Sequence, residues 1–101
     1  MSKGYWIAHV EVTNAEEYEK YRAANAEAFA KYGAKFLVRG GPFEVAEGGA
    51  KARNIVIEFP TYQQALDCFH SPEYSRARAF RKNAAYSDLI IIGGYDGPQP
   101  S

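Results

Sequence analysis

The sequence contains three side chains whose types suit the binding of a small anion and the transfer of a proton. Arg39 lies in the stretch FLVRGGPFEV, Glu58 in RNIVIEFP and His9 in GYWIAHVEVT. A guanidinium binds carboxylate or phenolate oxygens through paired N–H groups, and a carboxylate or an imidazole is an ordinary general base. If the fold brings them together, they predict a site for a small anionic or phenolic organic ligand, with His9 and Glu58 as the catalytic candidates.

Two helical residues are further candidates for that site. Asn25 interrupts a stripe of tyrosines, where a buried amide needs hydrogen-bond partners. It either ties the helix to a loop or lines a pocket between the helix and the sheet. Arg81 follows Tyr74 by seven residues and shares its helix face, which predicts a half-buried, salt-bridged guanidinium.

Metal, thiol and nucleotide chemistry receive little support from the sequence. His9 and Glu11 share a strand face, but no third ligand has a recognisable spacing, so no metal is predicted. Cys68 has no neighbouring base and is predicted to be a small buried hydrophobic residue. The paired glycines do not form GxGxxG, and no cofactor is predicted.

Alternating apolar residues predict four strands, and capping patterns predict the helices between them. The strand residues occur in GYWIAHVEVT, in the broken stretch KFLVRGG and FEVAEG, in RNIVIEFP and in DLIIIGGY. The predicted N-caps are Asn14, Thr61 and Ser71, and Gly33 is the predicted glycine at the end of the first helix.

This order of elements predicts an α+β fold, a ferredoxin-like βαββαβ sandwich with both helical segments on one face of a four-stranded antiparallel sheet. The second face of the sheet then carries apolar side chains, among them Tyr5, Ile7, Leu37 and Val56. Such a patch usually marks an interaction surface, and a second copy of the chain related by a two-fold axis is the simplest cover. A homodimer, formed sheet against sheet, is therefore predicted.

The apolar residues of the second strand change from even to odd positions at a Gly-Gly-Pro stretch, residues 40–42. Glycine permits unusual backbone angles, and proline fits only where no ladder donor is needed, so a β-bulge is predicted there. Phe43 then returns to the helix side, while Arg39 shares the second face with Glu58 and His9. These three side chains form either a ligand pocket or an interface ion pair that satisfies its own charges.

The overall composition limits the classes of partner. The 12 basic and 12 acidic residues cancel, so neither a nucleic acid nor an anionic membrane is predicted as a partner. The single cysteine makes no internal disulfide, and no signal peptide or membrane span is evident, which predicts a cytoplasmic location. Residues 1–97 are predicted to form one domain, and residues 98–101 a loose C-terminal tail.

Several segments together resemble a known family. GYWIAHVEV, FLVRGGPFEV, RNIVIEFP, SPEY and DLIIIGGYDG are similar, in this order, to segments of the domain of unknown function 1330 family. The resemblance extends from Gly4 to Gly97 and implies membership of the dimeric α/β-barrel superfamily, in agreement with the predicted dimer. The polar signature of the family falls on Arg39, Glu58, Ser71, Tyr74 and Arg81.

The resemblance implies no particular reaction, because the family is uncharacterised. The wider superfamily includes cofactor-free monooxygenases, muconolactone-type isomerases and haem-binding members. Two hypotheses follow. The chain binds a small organic acid or phenol without turnover, or it is a cofactor-independent monooxygenase- or isomerase-like enzyme acting on a phenolic, quinone-like or lactone substrate.

Overall fold

The computed structural model describes residues 2–100, which contain four strands and three helices. Met1 and Ser101 lie outside the described residues, so the last residue of the predicted tail is not described. In chain order the elements are β1 (Gly4–Val12), α1 (Ala15–Tyr32), β2 (Lys35–Arg39), β3 (Arg53–Phe59), α2 (Tyr62–Phe69), α3 (Pro72–Arg81) and β4 (Ala85–Gly93). The predicted α+β ferredoxin-like order is confirmed.

The helices begin and end where the capping patterns predict. The Asn14 side chain accepts a hydrogen bond from the backbone N–H of Glu17 at 3.2 Å. The Thr61 hydroxyl accepts one from the backbone N–H of Gln64. Gly33 has a left-handed conformation at φ 73°, which ends α1 and returns the chain to the sheet. Ser71 caps α3.

The sheet is antiparallel with the strand order β2-β3-β1-β4, and all three helices pack on one face of it. Trp6 lies at the centre of the core with 1% of its surface exposed, and its indole N–H donates to the Ala65 carbonyl at 2.9 Å. Offset and edge-on ring contacts of this kind stabilise a core beyond the area they bury. The rings around Trp6 are those of Phe29, Phe59, Phe69 and Tyr74.

The predicted position of the β-bulge is wrong. The pairing of β2 with β3 is regular at Lys35 and Phe36. It shifts by one residue between Phe36 and Val38, so Leu37 is the inserted residue of the bulge. Because alternate residues of a strand point to opposite faces, this early insertion moves every later side chain to the other face. Arg39 therefore pairs with Ile55 on the helix side of the sheet rather than on its second face.

Residues 41–52 form a loop between β2 and β3 and do not continue the strand. Phe43 and Val45 are 54% and 46% exposed, so the prediction that Phe43 returns to the core is wrong. Gly40 has φ 67° and ends the strand, where its N–H still donates to the Asn54 carbonyl at 3.0 Å. A Cβ at Gly40 would lie 2.9 Å from Nη1 of Arg53, so glycine leaves room for that guanidinium.

We expect the Gly40→Ala variant to lose about 1–2 kcal/mol of unfolding free energy, since a side chain is strained in the left-handed region. The new methyl also displaces the Arg53 guanidinium from its position. Gly41→Ala is the matched control, because no atom lies within 4 Å of a Cβ there and its φ is not positive. Urea unfolding of the two variants measures the difference, and equal stabilities would contradict this assignment.

None of the three helices packs on the second face of the sheet, and the loop between β2 and β3 reaches this face only at its His9 end, where Lys51 pairs with Asp88. Its centre is apolar, because Ile7 lies between Val56 on β3 and Ile90 on β4. Further exposed apolar side chains on β2 and β4 extend this surface, which we call the uncovered face: Val38, Tyr86, Ile90 and Ile92. An apolar surface on several neighbouring strands is typical of an interface.

Candidate anion-binding site

A small pocket lies between the helix layer and the covered face of the sheet. Its volume is about 30 Å³, enough for about two water molecules. Strands β1, β3 and β4 supply an apolar floor that includes Trp6 and Leu89, and helix α1 supplies one wall. The polar side chains that line it are Tyr18, Tyr21, Arg22, Asn25, Arg39, Arg53 and Arg81.

Three of these arginines are held by aromatic rings and not by carboxylates. Within residues 2–100, none of the three forms a salt bridge, whereas Arg22 is paired with Glu19 at 2.8 Å. A guanidinium over a ring face keeps its N–H groups available while the ring quadrupole attracts its charge. The distances from Cζ to the ring centroid are 4.0 Å for Arg39 and Phe36, 5.4 Å for Arg81 and Tyr21, and 6.0 Å for Arg53 and Tyr18.

Buried polar groups of the pocket include donors with no hydrogen-bond partner among the described residues. The Nε atoms of Arg53 and Arg22 are such donors. Asn25 and Arg81 are also buried, at 6% and 9% exposed, and line the same pocket. Buried polar groups are paired in most proteins, so unpaired donors that share one pocket indicate a position for an absent acceptor.

Neighbouring tyrosines do not neutralise these cations. Burial raises the pKa of Tyr18, and the Arg53 charge only opposes that rise, so Tyr18 is a neutral phenol at pH 7. Burial also raises the pKa of Tyr74, whose hydroxyl lies 2.8 Å from that of Tyr21. The pocket is therefore positively charged, since none of its lining side chains is a carboxylate.

Ser71 and Tyr74 support the site without lining it. The Ser71 hydroxyl accepts from the backbone N–H of Tyr74 at 3.1 Å and donates to the Cys68 carbonyl at 2.7 Å, which fixes the start of α3. Tyr74 is fully buried behind the pocket lining, where it contacts Tyr21, Trp6 and Phe29. Direct contact of Ser71 and Tyr74 with a ligand stays a prediction, and this geometry does not favour it because neither residue lines the pocket.

The predicted pair of Arg39 and Glu58 is wrong. Glu58 lies opposite Lys35 and Tyr5 on the uncovered face, whereas the bulge at Leu37 has turned Arg39 to the helix side. Glu58 accepts hydrogen bonds from Lys3 Nζ and from the Tyr5 hydroxyl, each at 3.2 Å. The Lys3 hydrogen bond lowers the pKa of Glu58, so this carboxylate is ionised and already paired.

His9 is also separate from the pocket. Its Nδ1 lies 2.6 Å from Oδ1 of Asn54, its cross-strand neighbour, at an exposed position on the uncovered face. Tyr5, which contacts Glu58, is four residues earlier on β1, so His9 lies about 13 Å along the strand from that carboxylate. The structure thus brings together Asn25, Arg39 and Arg81 of the predicted residues, and separates them from His9 and Glu58.

The sequence contained signals for the pocket residues that were not predicted. Tyr18, Tyr21 and Asn25 follow one another at helical spacings of three and four, and Arg22 lies beside them. Arg53 begins β3 and shares odd parity with the core residues of that strand, which places it on the helix side. The predicted salt bridge of Arg81 is not present in the described residues.

Other chemistry has no geometry to support it in the described part of the chain. Burial raises the pKa of the Cys68 thiol to about 12, so this residue is an inert part of the core, as predicted. Across residues 2–100, no three histidine, cysteine or acidic side chains converge as metal ligands do. No helix in the same range has the length and hydrophobicity needed to cross a membrane.

Solved structures with a similar fold include proteins of known and unknown function. The RPA0582 protein of unknown function from Rhodopseudomonas palustris is 18% identical, with a TM-score of 0.77 over 95% of this chain and 85% of that chain. SnoaB, a cofactor-independent oxygenase from Streptomyces nogalater, is 11% identical, with a TM-score of 0.66 over 96% and 97% of the two chains. Identities this low show a shared fold alone.

A putative antibiotic biosynthesis monooxygenase from Nitrosomonas europaea has the same fold, with 16% identity and a TM-score of 0.56 over 93% of this chain and 98% of that chain. No functionally curated protein matches the sequence. Residues 3–95 match the profile of the family described as Domain of unknown function (DUF1330), and the chain belongs to this family.

Proposed function

We propose that the protein binds a small organic anion in the pocket between its helices and its sheet. The observation that carries this proposal is the set of three arginines, Arg39, Arg53 and Arg81, that line the pocket with no carboxylate beside them. A buried or half-buried cation without a counterion is costly, and proteins retain such groups where a ligand supplies the opposite charge.

The surroundings of the arginines favour an organic ligand. Phe36, Tyr18 and Trp6 present ring surface beside the guanidinium groups, and a planar carboxylic acid or phenolate matches both kinds of surface. The pocket accommodates an anionic head group and little more, since its volume is about 30 Å³. The body of the ligand then lies towards Arg39, which is exposed.

Benzoate is a suitable probe, because it joins a carboxylate to a flat ring. We expect benzoate to raise the thermal midpoint of the wild-type protein by mass action. The Arg39→Gln variant should bind it about two- to fivefold more weakly, because the contact of a guanidinium with an aromatic ring is worth about 0.5–1 kcal/mol at an exposed site and 1.4 kcal/mol is tenfold. Isothermal titration calorimetry measures both affinities.

Arg76→Gln is the matched control for this experiment. Arg76 lies on α3 and is paired with Glu27 at 3.4 Å on an exposed surface away from the pocket, so its loss should leave benzoate binding unchanged. If neither benzoate nor a panel of other aromatic and aliphatic acids stabilises the wild-type protein at millimolar concentration, the proposed function is wrong.

Enzymatic turnover is the second candidate function, and the shared fold with an oxygenase favours it. Cofactor-independent chemistry on a phenol or lactone needs a group that accepts a proton from the substrate. No histidine, aspartate or glutamate lines the pocket. Tyr21 presents a hydroxyl group there and is the candidate to accept the proton. Oxygen uptake with a hydroquinone substrate, lost in Tyr21→Phe, would support turnover over simple binding.

We also propose that two copies of the chain associate through the uncovered face. The apolar side chains around Ile7 give this surface a dry centre, and the Lys3–Glu58 pair lies at its margin. An interface with an apolar centre and a polar rim is typical of stable complexes. A two-fold axis brings identical faces together without leaving either of them in water.

A further inference from the structure

We propose that the pocket selects ligands with two negative charges, as a dicarboxylic acid or a phosphate monoester carries them. This inference rests on the proposed function and makes it more specific, because a site for a single carboxylate needs only one cation.

Two uncompensated cations lie away from bulk solvent. Arg81 is 9% exposed and Arg53 is half-buried with an unpartnered Nε, and no carboxylate lines the pocket with them. Arg22 contributes no net charge because Glu19 neutralises it. A ligand with one negative charge would leave one of these guanidinium groups uncompensated where solvent screening is weak. A ligand with two negative charges offsets the charges of both guanidinium groups.

Arg39 does not raise the number of negative charges that the ligand must carry. It is exposed at the pocket, so water screens its charge and no further anion is required to offset it. Its position over the Phe36 ring suits a guiding contact for the part of the ligand that remains near the solvent.

The tyrosine pair supplies one further donor. Tyr74 is fully buried, and the hydrogen bond to Tyr21 is the one that its hydroxyl makes among the described residues. If Tyr74 accepted this bond, its own proton would be buried without a partner, which costs about 1–3 kcal/mol. Tyr74 therefore donates to Tyr21, and the proton of Tyr21 is left to point to the pocket that Tyr21 lines. The site thus offers donors to a ligand that is rich in acceptors.

Phthalate and benzoate test the charge requirement, because the two share a ring and differ by one carboxylate. At about pH 8 both acids are fully ionised, and so is phenyl phosphate, whose second pKa is about 6. We expect phthalate or phenyl phosphate to bind the wild-type protein at least tenfold more tightly than benzoate in calorimetric titrations at low salt. The tighter of the two dianions identifies the head group as paired carboxylates or a phosphate.

The Arg81→Gln variant supplies the second measurement. Arg81→Gln removes one of the two cations, Arg53 and Arg81, that lie away from bulk solvent. The ratio of dianion affinity to benzoate affinity should therefore fall towards one. If benzoate binds the wild-type protein as tightly as both dianions and Arg39→Gln weakens it, the proposed function stands and the charge requirement is wrong. If none of the three ligands binds, the charge requirement is wrong, and if the wider panel of acids also fails to bind, the proposed function is wrong as well.

Discussion

The Arg81→Met variant is expected to be more stable than the wild-type protein when no ligand is bound. Arg81 is 9% exposed, packs over the Tyr21 ring, and has no carboxylate or hydrogen-bond partner among the described residues. Exchanging buried charged groups for apolar side chains of similar volume stabilises proteins by about 1–4 kcal/mol when packing is retained. Methionine matches the length of arginine and is flexible enough to fill the same space. Urea unfolding at neutral pH measures the gain.

The same substitution on an exposed helix position is the control. Arg76→Met removes a solvent-exposed pair with Glu27, and its stability should remain within about 0.5 kcal/mol of wild type. Saturating phthalate should reverse the order of wild type and Arg81→Met, because only the protein that binds the dianion gains stability from it. A large loss of stability in Arg81→Met without ligand would show that Arg81 is a structural residue.

The Ile7→Asp variant is expected to be a monomer at concentrations where the wild-type protein is a dimer. Ile7 lies at the centre of the uncovered face, between Val56 and Ile90 on the adjacent strands. A carboxylate at that position would be buried against the partner without a counterion, which costs several kcal/mol and removes the association. Sedimentation velocity at micromolar concentration measures the mass of each protein.

Phe80→Asp is the matched control for the dimer. Phe80 is a partly exposed apolar residue on α3, in the helix layer, so its replacement leaves the uncovered face intact. The control should sediment as a dimer, and circular dichroism should show that both variants keep their secondary structure. A monomeric wild-type protein at these concentrations would exclude the proposed association.

The fold was predictable because its signals are local. Asn14, Thr61 and Ser71 each accept a hydrogen bond from an N–H three residues later, and a side chain of the right type at the right spacing is visible in any sequence. Gly33 needs only its own positive φ to end α1. Alternation along β1 and β3 assigned their faces correctly, since both strands pair without interruption.

The site was only partly predictable because it depends on one inserted residue. Leu37 is a good strand residue, and nothing in its type indicates that it shifts the register. The glycines after Arg39 were the visible sign of an irregularity, but Gly40 instead ends the strand and makes room for Arg53. A shift of one residue reverses the face of Arg39, so the correct residue type was assigned to the wrong side of the sheet.

The aromatic support of the arginines has a kinetic consequence. A guanidinium that is held by a carboxylate must first break that ion pair before it can accept a ligand. Arg39, Arg53 and Arg81 rest on Phe36, Tyr18 and Tyr21, and an arriving anion can engage them while the rings remain in contact. Little reorganisation then precedes capture, so association should be fast, and affinity differences among ligands of equal charge should arise from the dissociation rate.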